Sequence, residues 1–234
     1  MPLALLNEDW VAGKRIIMLE PRRIAARTAA YYMAEQLGET AGDTVGYRMR
    51  LDTRVSARTR VEVVTEGVFT RMLQTDPGLE GVGLVIFDEF HERSLDSDLG
   101  LALILQAREL FMEESRVKLL IMSATLDGDR LQGLLPAAPV VTSQGRQFEV
   151  TVHHGKAMVP RQRVEDRVVP KVKEALADHP DSSLLVFLPG QGEIRRCLEQ
   201  LSLVPADVEV LPLYGGLTLD EQRRAIQPAT SGRK

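Results

Sequence analysis

The sequence predicts an α/β fold built on parallel sheets, and three observations carry that prediction. Short apolar runs alternate with longer amphipathic stretches along the chain, the pattern of successive βαβ units. The run Leu84-Val85-Ile86-Phe87 stops abruptly at Asp88-Glu89-Phe90-His91-Glu92-Arg93. A buried strand reads this way when it delivers ionisable groups to the C-terminal edge of its sheet, where ligands bind in open α/β folds. Two further apolar runs end in residues suited to holding phosphate, Glu20-Pro21-Arg22-Arg23 and Thr65-Glu66-Gly67.

Taken in order, strands are expected at 16–19, 61–65, 84–87, 119–122 and 140–142, then at 149–153, 184–188 and 208–213. Helices are expected between them at 24–37, 67–74, 99–113, 164–177, 193–201 and 219–226. Right-handed crossovers would put the helices on both faces of the sheet. Pro21 suits the start of the first of these helices, because its φ is preset and its missing N–H is not needed there. The polar stretch 143–148 follows the Pro-rich loop 134–139 and marks a boundary, giving domains 1–143 and 144–234. The last seven residues, 228–234, end in a loop where another strand is expected.

Bulk properties narrow the class. A chain of 234 residues makes one large or two ordinary domains. No apolar run approaches the roughly 20 residues needed to cross a bilayer, and the N-terminus lacks the basic region of a secretory signal. The single cysteine, Cys197, excludes an internal disulfide and any cysteine-based zinc site. A reducing, cytoplasmic setting is the expectation. Net charge is −4, so bulk attraction does not coat this protein with nucleic acid. Five arginines nevertheless fall between Arg48 and Arg60, and Arg22, Arg23 and Arg27 form a second group. Charge alone weighs a phosphate-neutralising patch and a solvated face equally.

The acidic strand end carries the chemistry. An Asp at the end of a strand is how phosphate-loop NTPases hold Mg²⁺ on a nucleotide, so Asp88 is the candidate metal-holding carboxylate. Glu89 is then the base or orienter for an attacking water. The alternative is an acid-rich helix N-terminus, favoured by the macrodipole. Ser123 and Thr125 follow the run 119–122, where their hydroxyls either reach Asp88 or His91 or cap the next turn. Arg22 and Arg23 beside a helix start make a phosphate-binding corner. Thr65 and Gly67 form a second such corner after 61–64. Gly190 closes Leu188-Pro189-Gly190 in the second half, where it either permits close backbone approach or ends a strand.

Glu20–Ala26, Thr65–Gly67, Asp88–His91, Ser123–Thr125, Leu185–Gln191 and Tyr214–Leu217 stand in an order and spacing that resembles the successive motifs of DEAH-box superfamily 2 helicases. Six ordered motifs are specific where any one is weak. The resemblance covers essentially the whole chain. It implies two tandem RecA-like parallel-sheet domains, with ATP and Mg²⁺ between them and a single strand of nucleic acid, RNA for this class, crossing both. Asp88 and Glu89 would be the magnesium-binding and water-activating carboxylates. His91 would link the nucleotide site to Ser123 and Thr125. Arg22, Arg23, Thr65, Gly67 and Gly190 would hold the phosphodiester backbone, with little base specificity.

Three expected parts are not found. No Gly-x-x-x-x-Gly-Lys-Ser/Thr run precedes Glu20, and Pro2-Leu3-Ala4-Leu5-Leu6 resembles the helix that follows that loop. At the other end, Lys234 falls just before the strand and loop expected of the fifth motif, and the arginine-rich sixth motif is not found in the sequence. Both domains are therefore expected to be incomplete, and the 234-residue chain is expected to lack useful ATPase activity by itself. The competing readings are a non-catalytic nucleic-acid-binding or partner-binding module, and a DNA-directed translocase.

Overall fold

The computed structural model describes residues 1–112, 117–124, 133, 135, 137–143, 145, 148–229 and 231–234. The chain divides into two compact units, Met1–Ser143 and Gln144–Lys234. In the first unit the strands are β1 (Arg15–Glu20), β2 (Val45–Met49), β3 (Asp52–Arg54), β4 (Val61–Thr65), β5 (Val82–Phe87) and β6 (Lys118–Ile121). Its helices are α1 (Pro2–Leu5), α2 (Arg23–Gln36), α3 (Glu66–Thr75) and α4 (Leu95–Leu110). The strands form one six-stranded sheet in the order β3-β2-β4-β1-β5-β6. Every pairing is parallel except the short β2–β3 ladder.

Alternation along the strands supplies both faces of this sheet. Ile16, Met18, Val61, Val63, Val45, Tyr47, Leu84 and Ile86 share one cluster with Ala26, Ala30 and Met33 of α2. Ile17, Leu19, Val64, Val85 and Phe87 share the other with Phe69 and Leu73 of α3 and Leu101 and Ile104 of α4. Strand β5 is buried along its full length, which is why its sequence is a continuous apolar run rather than an alternating one. The strands expected at 16–19, 61–65, 84–87 and 119–122 are present within a residue or two. The β2–β3 pair was not anticipated, because Gly46 and Arg48 interrupt its apolar pattern. Gly46 has a packing reason: a Cβ there would lie 2.4 Å from the Arg54 carbonyl oxygen.

Glu62 points into the second face and is almost fully buried. Arg15 Nη1 and Arg48 Nε donate to its two oxygens, at 3.2 and 2.5 Å. One carboxylate thus ties β1, β4 and β2 together across the sheet. The basic stretch 48–60 is spent largely on such contacts. Arg58 pairs with Asp43, and Arg60 donates to the Lys14 carbonyl at 3.0 Å.

The second unit contains α5 (Glu165–Asp178), α6 (Gln191–Gln200) and α7 (Leu219–Ile226). Val169, Cys197 and Leu201 form its small core. The strands expected at 149–153, 184–188 and 208–213 are not formed, and neither is the one expected at 140–142 in the first unit. Among the described residues of the second unit the single bridge is Val208 with Arg233, and it is parallel. The physical reason is local. The terminal residues enter between two of the expected strands, with Leu184 N–H donating to the Lys234 carbonyl at 2.7 Å and Glu209 N–H to that of Arg233 at 2.9 Å. Beyond them, 184–188 and 208–213 line a cavity of about 290 Å³. Apolar β-branched sequence becomes strand only when a neighbour takes its backbone hydrogen bonds.

The Glu62 arrangement is tested by Glu62→Ala. The substitution leaves two arginines facing a buried gap, but both keep partial access to water. The expected cost is about 2–4 kcal/mol, read as a lower urea midpoint with an unchanged slope.

Candidate functional site

The sheet order sets the site. Because β1 lies between β4 and β5, the C-terminal ends of three strands bring Glu20, Thr65 and Asp88 to one edge. Register places Glu20 beside Thr65, and the Asp88 N–H donates to the Leu19 carbonyl at 3.1 Å. Asp88 thereby continues the β1–β5 ladder.

After Asp88 the chain makes a tight 3₁₀ turn, Phe90–Glu92, flanked by Glu89 at φ 50° and Arg93 at φ 47°. Neither is glycine, and left-handed backbone costs such residues of order 1–3 kcal/mol each. Packing holds the turn in place. Phe90 is buried and meets Phe87 edge-on with ring centroids 6.0 Å apart, while Phe87 meets Phe69 in the same way at 5.8 Å. The Phe90 N–H donates to the Met122 carbonyl at 3.1 Å. Arg93 lies over the Phe90 ring at 5.5 Å and forks onto both oxygens of Asp98 at 3.1 and 2.9 Å. Ser94 caps α4 by accepting from the Ser97 N–H at 2.9 Å, and its hydroxyl donates to Glu66 at the start of α3. The acidic turn is thus bonded to the Thr65-Glu66-Gly67 corner.

The functional side chains project from this frame. Asp88 Oδ1 accepts from the Glu89 N–H at 2.8 Å. Glu89 is exposed, and its Oε2 lies 3.4 Å from His91 Nε2. The other ring nitrogen, Nδ1, accepts from the Ala124 N–H at 3.3 Å. That pairing assigns the imidazole proton to Nε2, facing Glu89. The Ala124 backbone, between the two expected hydroxyls, also joins this segment to the acidic motif. Ser123 sits at the end of β6, and Thr125 lies outside the described residues. Arg22 and Arg23 are exposed at the start of α2, and Thr65 and Gly67 open α3. Gly190 belongs to the second unit, where it is the N-cap of α6.

Three carboxylates of this site had no assigned role in the sequence reading. Glu20 is buried beside Asp88, Glu66 binds Ser94, and Glu92 accepts two bonds from Arg22, at 3.2 and 3.0 Å. Glu20 ends its apolar run just as Asp88 does, so the signal was present. Only the adjacency of β1 and β5 turns it into a contact.

Burial, and then the charges of Asp88 and Glu89 with a hydrogen bond to Asp88 and a smaller push from Glu92, raise the Glu20 carboxyl from its ordinary 4.5 to about 8. The cluster therefore carries more negative charge than it can hold ionised, the condition that a cation would relieve. No group of three or more His, Cys, Asp or Glu among the described residues forms a metal cage. Asp88 fits a Mg²⁺ that arrives already held by phosphates, since that ion commonly takes one or two carboxylates and completes its shell with phosphate and water.

The shift of Glu20 has a signed consequence. The folded chain keeps a proton that the unfolded chain releases, so this group lowers stability progressively as pH rises from about 4.5 to about 8. Glu20→Gln removes the loss. Parent and variant should melt together near pH 4.5, with the variant melting several degrees higher above pH 8. Equal melting temperatures above pH 8 would contradict the shift.

The sequence profile of the DEAD/DEAH box helicase family matches residues 3–134. The chain is 54% identical over 233 residues to the ATP-dependent RNA helicase HrpB of Escherichia coli K12, covering 99% of this chain and 28% of that protein. Identity is 33% over 219 residues to E. coli HrpA, covering 92% of this chain and 16% of that helicase. It is 30% over 251 residues to a probable ATP-dependent RNA helicase of Caenorhabditis elegans, the DHX35 homolog, covering 99% of this chain and 33% of that protein. The crystal structure of the E. coli DEAH/RHA helicase HrpB superposes with a TM-score of 0.90 over 99% of this chain and 29% of its own. The chain thus spans a third or less of the length of these relatives. Its parallel sheet is of the RecA-like type, and the chain belongs to the DEAD/DEAH box helicase family.

Proposed function

We propose that this chain is a nucleotide- and strand-handling portion of an ATP-dependent RNA helicase. One observation carries the reading: a single turn joins the metal-competent carboxylates Asp88 and Glu89 to the end of β6 through His91, and to the start of α2 through Arg22. The unit Met1–Ser143 is the first helicase domain without its phosphate-loop strand, and Gln144–Lys234 is the start of the second.

In this reading Asp88 holds Mg²⁺ delivered with ATP, the ion neutralising phosphate charge as it does in related NTPases. Glu89 orients water, with its carboxylate 3.4 Å from His91 Nε2. His91 passes any movement of that carboxylate to the Ser123-Ala124-Thr125 segment through the Ala124 N–H. Arg22, Arg23, Thr65, Gly67 and Gly190 hold the phosphodiester backbone. The exposed corners at the starts of α2 and α3 support this for the first four, because anions favour helix N-termini.

Two measurements test the proposal. The 234-residue chain carries the carboxylates but no Gly-x-x-x-x-Gly-Lys-Ser/Thr sequence, so it should hydrolyse ATP no faster than background. Hydrolysis above background that Glu89→Gln silences would overturn that expectation. Single-stranded RNA should bind in low salt, and the Arg22→Gln/Arg23→Gln pair should reduce the slope of log affinity against log salt by about 1.4. An unchanged slope would remove both arginines from the binding surface. Equal binding of matched RNA and DNA would place the strand specificity elsewhere than in 2′-hydroxyl contacts.

A further inference from the structure

Arg22 is engaged before any nucleic acid arrives. Its Nε and Nη2 both donate to one oxygen of Glu92, Oε2, at 3.2 and 3.0 Å, although the two residues are 70 positions apart. The Arg22 side chain is 72% exposed and that of Glu92 34%. Arg22 is the N-cap of α2, a 14-residue helix whose first turn contains no acid and whose cap makes no side-chain bond. The end of this helix therefore has no anion of its own, and the acidic turn after β5 supplies one.

We infer that Glu92 is a positioning residue that occupies, in the free protein, the place a phosphodiester takes when a strand binds. The inference rests on Arg22 being a ligand of that strand. The geometry of the pair favours exchange. A guanidinium is satisfied best when its two parallel N–H groups meet two separate oxygens, as Arg93 does with Asp98. Arg22 instead crowds both donors onto one oxygen, whereas a phosphodiester offers two anionic oxygens to the same fork. The exposure of the pair also makes it easy to break, since solvated ion pairs are weak.

Exchange would also be felt at the carboxylates. Glu92 shares its 3₁₀ turn with His91, immediately after Glu89, and its charge already bears on Glu20 beside Asp88. Once a phosphate takes Arg22, the charge of Glu92 is no longer offset. Binding of the strand then changes the field at the metal-competent edge without any contact between the two.

Fluorescence anisotropy with labelled oligouridylate, using the 234-residue chain and matched thermal melts, tests this as a double-mutant cycle. Arg22→Gln should weaken binding. Glu92→Gln should tighten it roughly two- to five-fold, as expected for release of an exposed pair. The double variant should bind like Arg22→Gln alone, because Glu92 acts only through that arginine. A Glu92→Gln gain that persists without Arg22 would show bulk charge repulsion and overturn the inference. So would a Glu92→Gln chain that binds as the parent does while Arg22→Gln remains weak. If Arg22→Gln binds as well as the parent, Arg22 is not a strand ligand, and the broader reading of that corner fails with the inference.

Discussion

A buried phenylalanine in the middle of an acidic turn is the constraint on which the site depends. Residues 88–93 carry five ionisable side chains and two left-handed backbone positions, a segment with every electrostatic reason to be a loose loop. Phe90 prevents this by extending the aromatic row Phe69–Phe87–Phe90 out of the core. Burying such a ring is worth roughly 1.5–3 kcal/mol, comparable to the cost of one strained residue. The remainder comes from backbone bonds of Asp88 and Phe90 to Leu19 and Met122. Glu89, His91 and Glu92 owe their positions to a neighbour that takes no part in chemistry.

The first unit was legible where one force acted alone. Strands β1, β5 and β6 are built on continuous apolar runs and β4 on one interrupted by Glu62, and α2 and α3 are amphipathic, so pattern and structure coincide. The acidic edge was legible because an apolar run that stops at carboxylates marks where a buried strand ends. What could not be read was adjacency. Glu20 became part of the site because β1 pairs with β5, and Glu92 reached Arg22 across a sequence gap that no local pattern spans. The partners of the basic patch at 48–60 were hidden for the same reason: Glu62 and Asp43 reach Arg48 and Arg58 only in the folded sheet. The runs at 184–188 and 208–213 show the converse, since strong strand propensity produced no strand where no ladder formed.

Taken together, these contacts describe a site whose parts answer to one another. The turn after β5 touches the end of β6 through Ala124, the start of α3 through Ser94 and Glu66, and the start of α2 through Glu92. Each contact is made by a different residue of one short segment. A displacement of that segment is therefore a displacement at all three corners. Such coupling is what a protein needs if events at a nucleotide are to be felt by a bound strand.

Amide hydrogen exchange tests most directly whether the acidic turn belongs to the sheet. The amides of Asp88, Phe90 and Met122, which donate to the carbonyls of Leu19, Met122 and Phe87 respectively, should exchange only when β5 itself opens, with the same free energy as Ile86. Exchange of the Asp88 and Phe90 amides at the rate of an exposed loop, while Ile86 stays protected, would contradict the account.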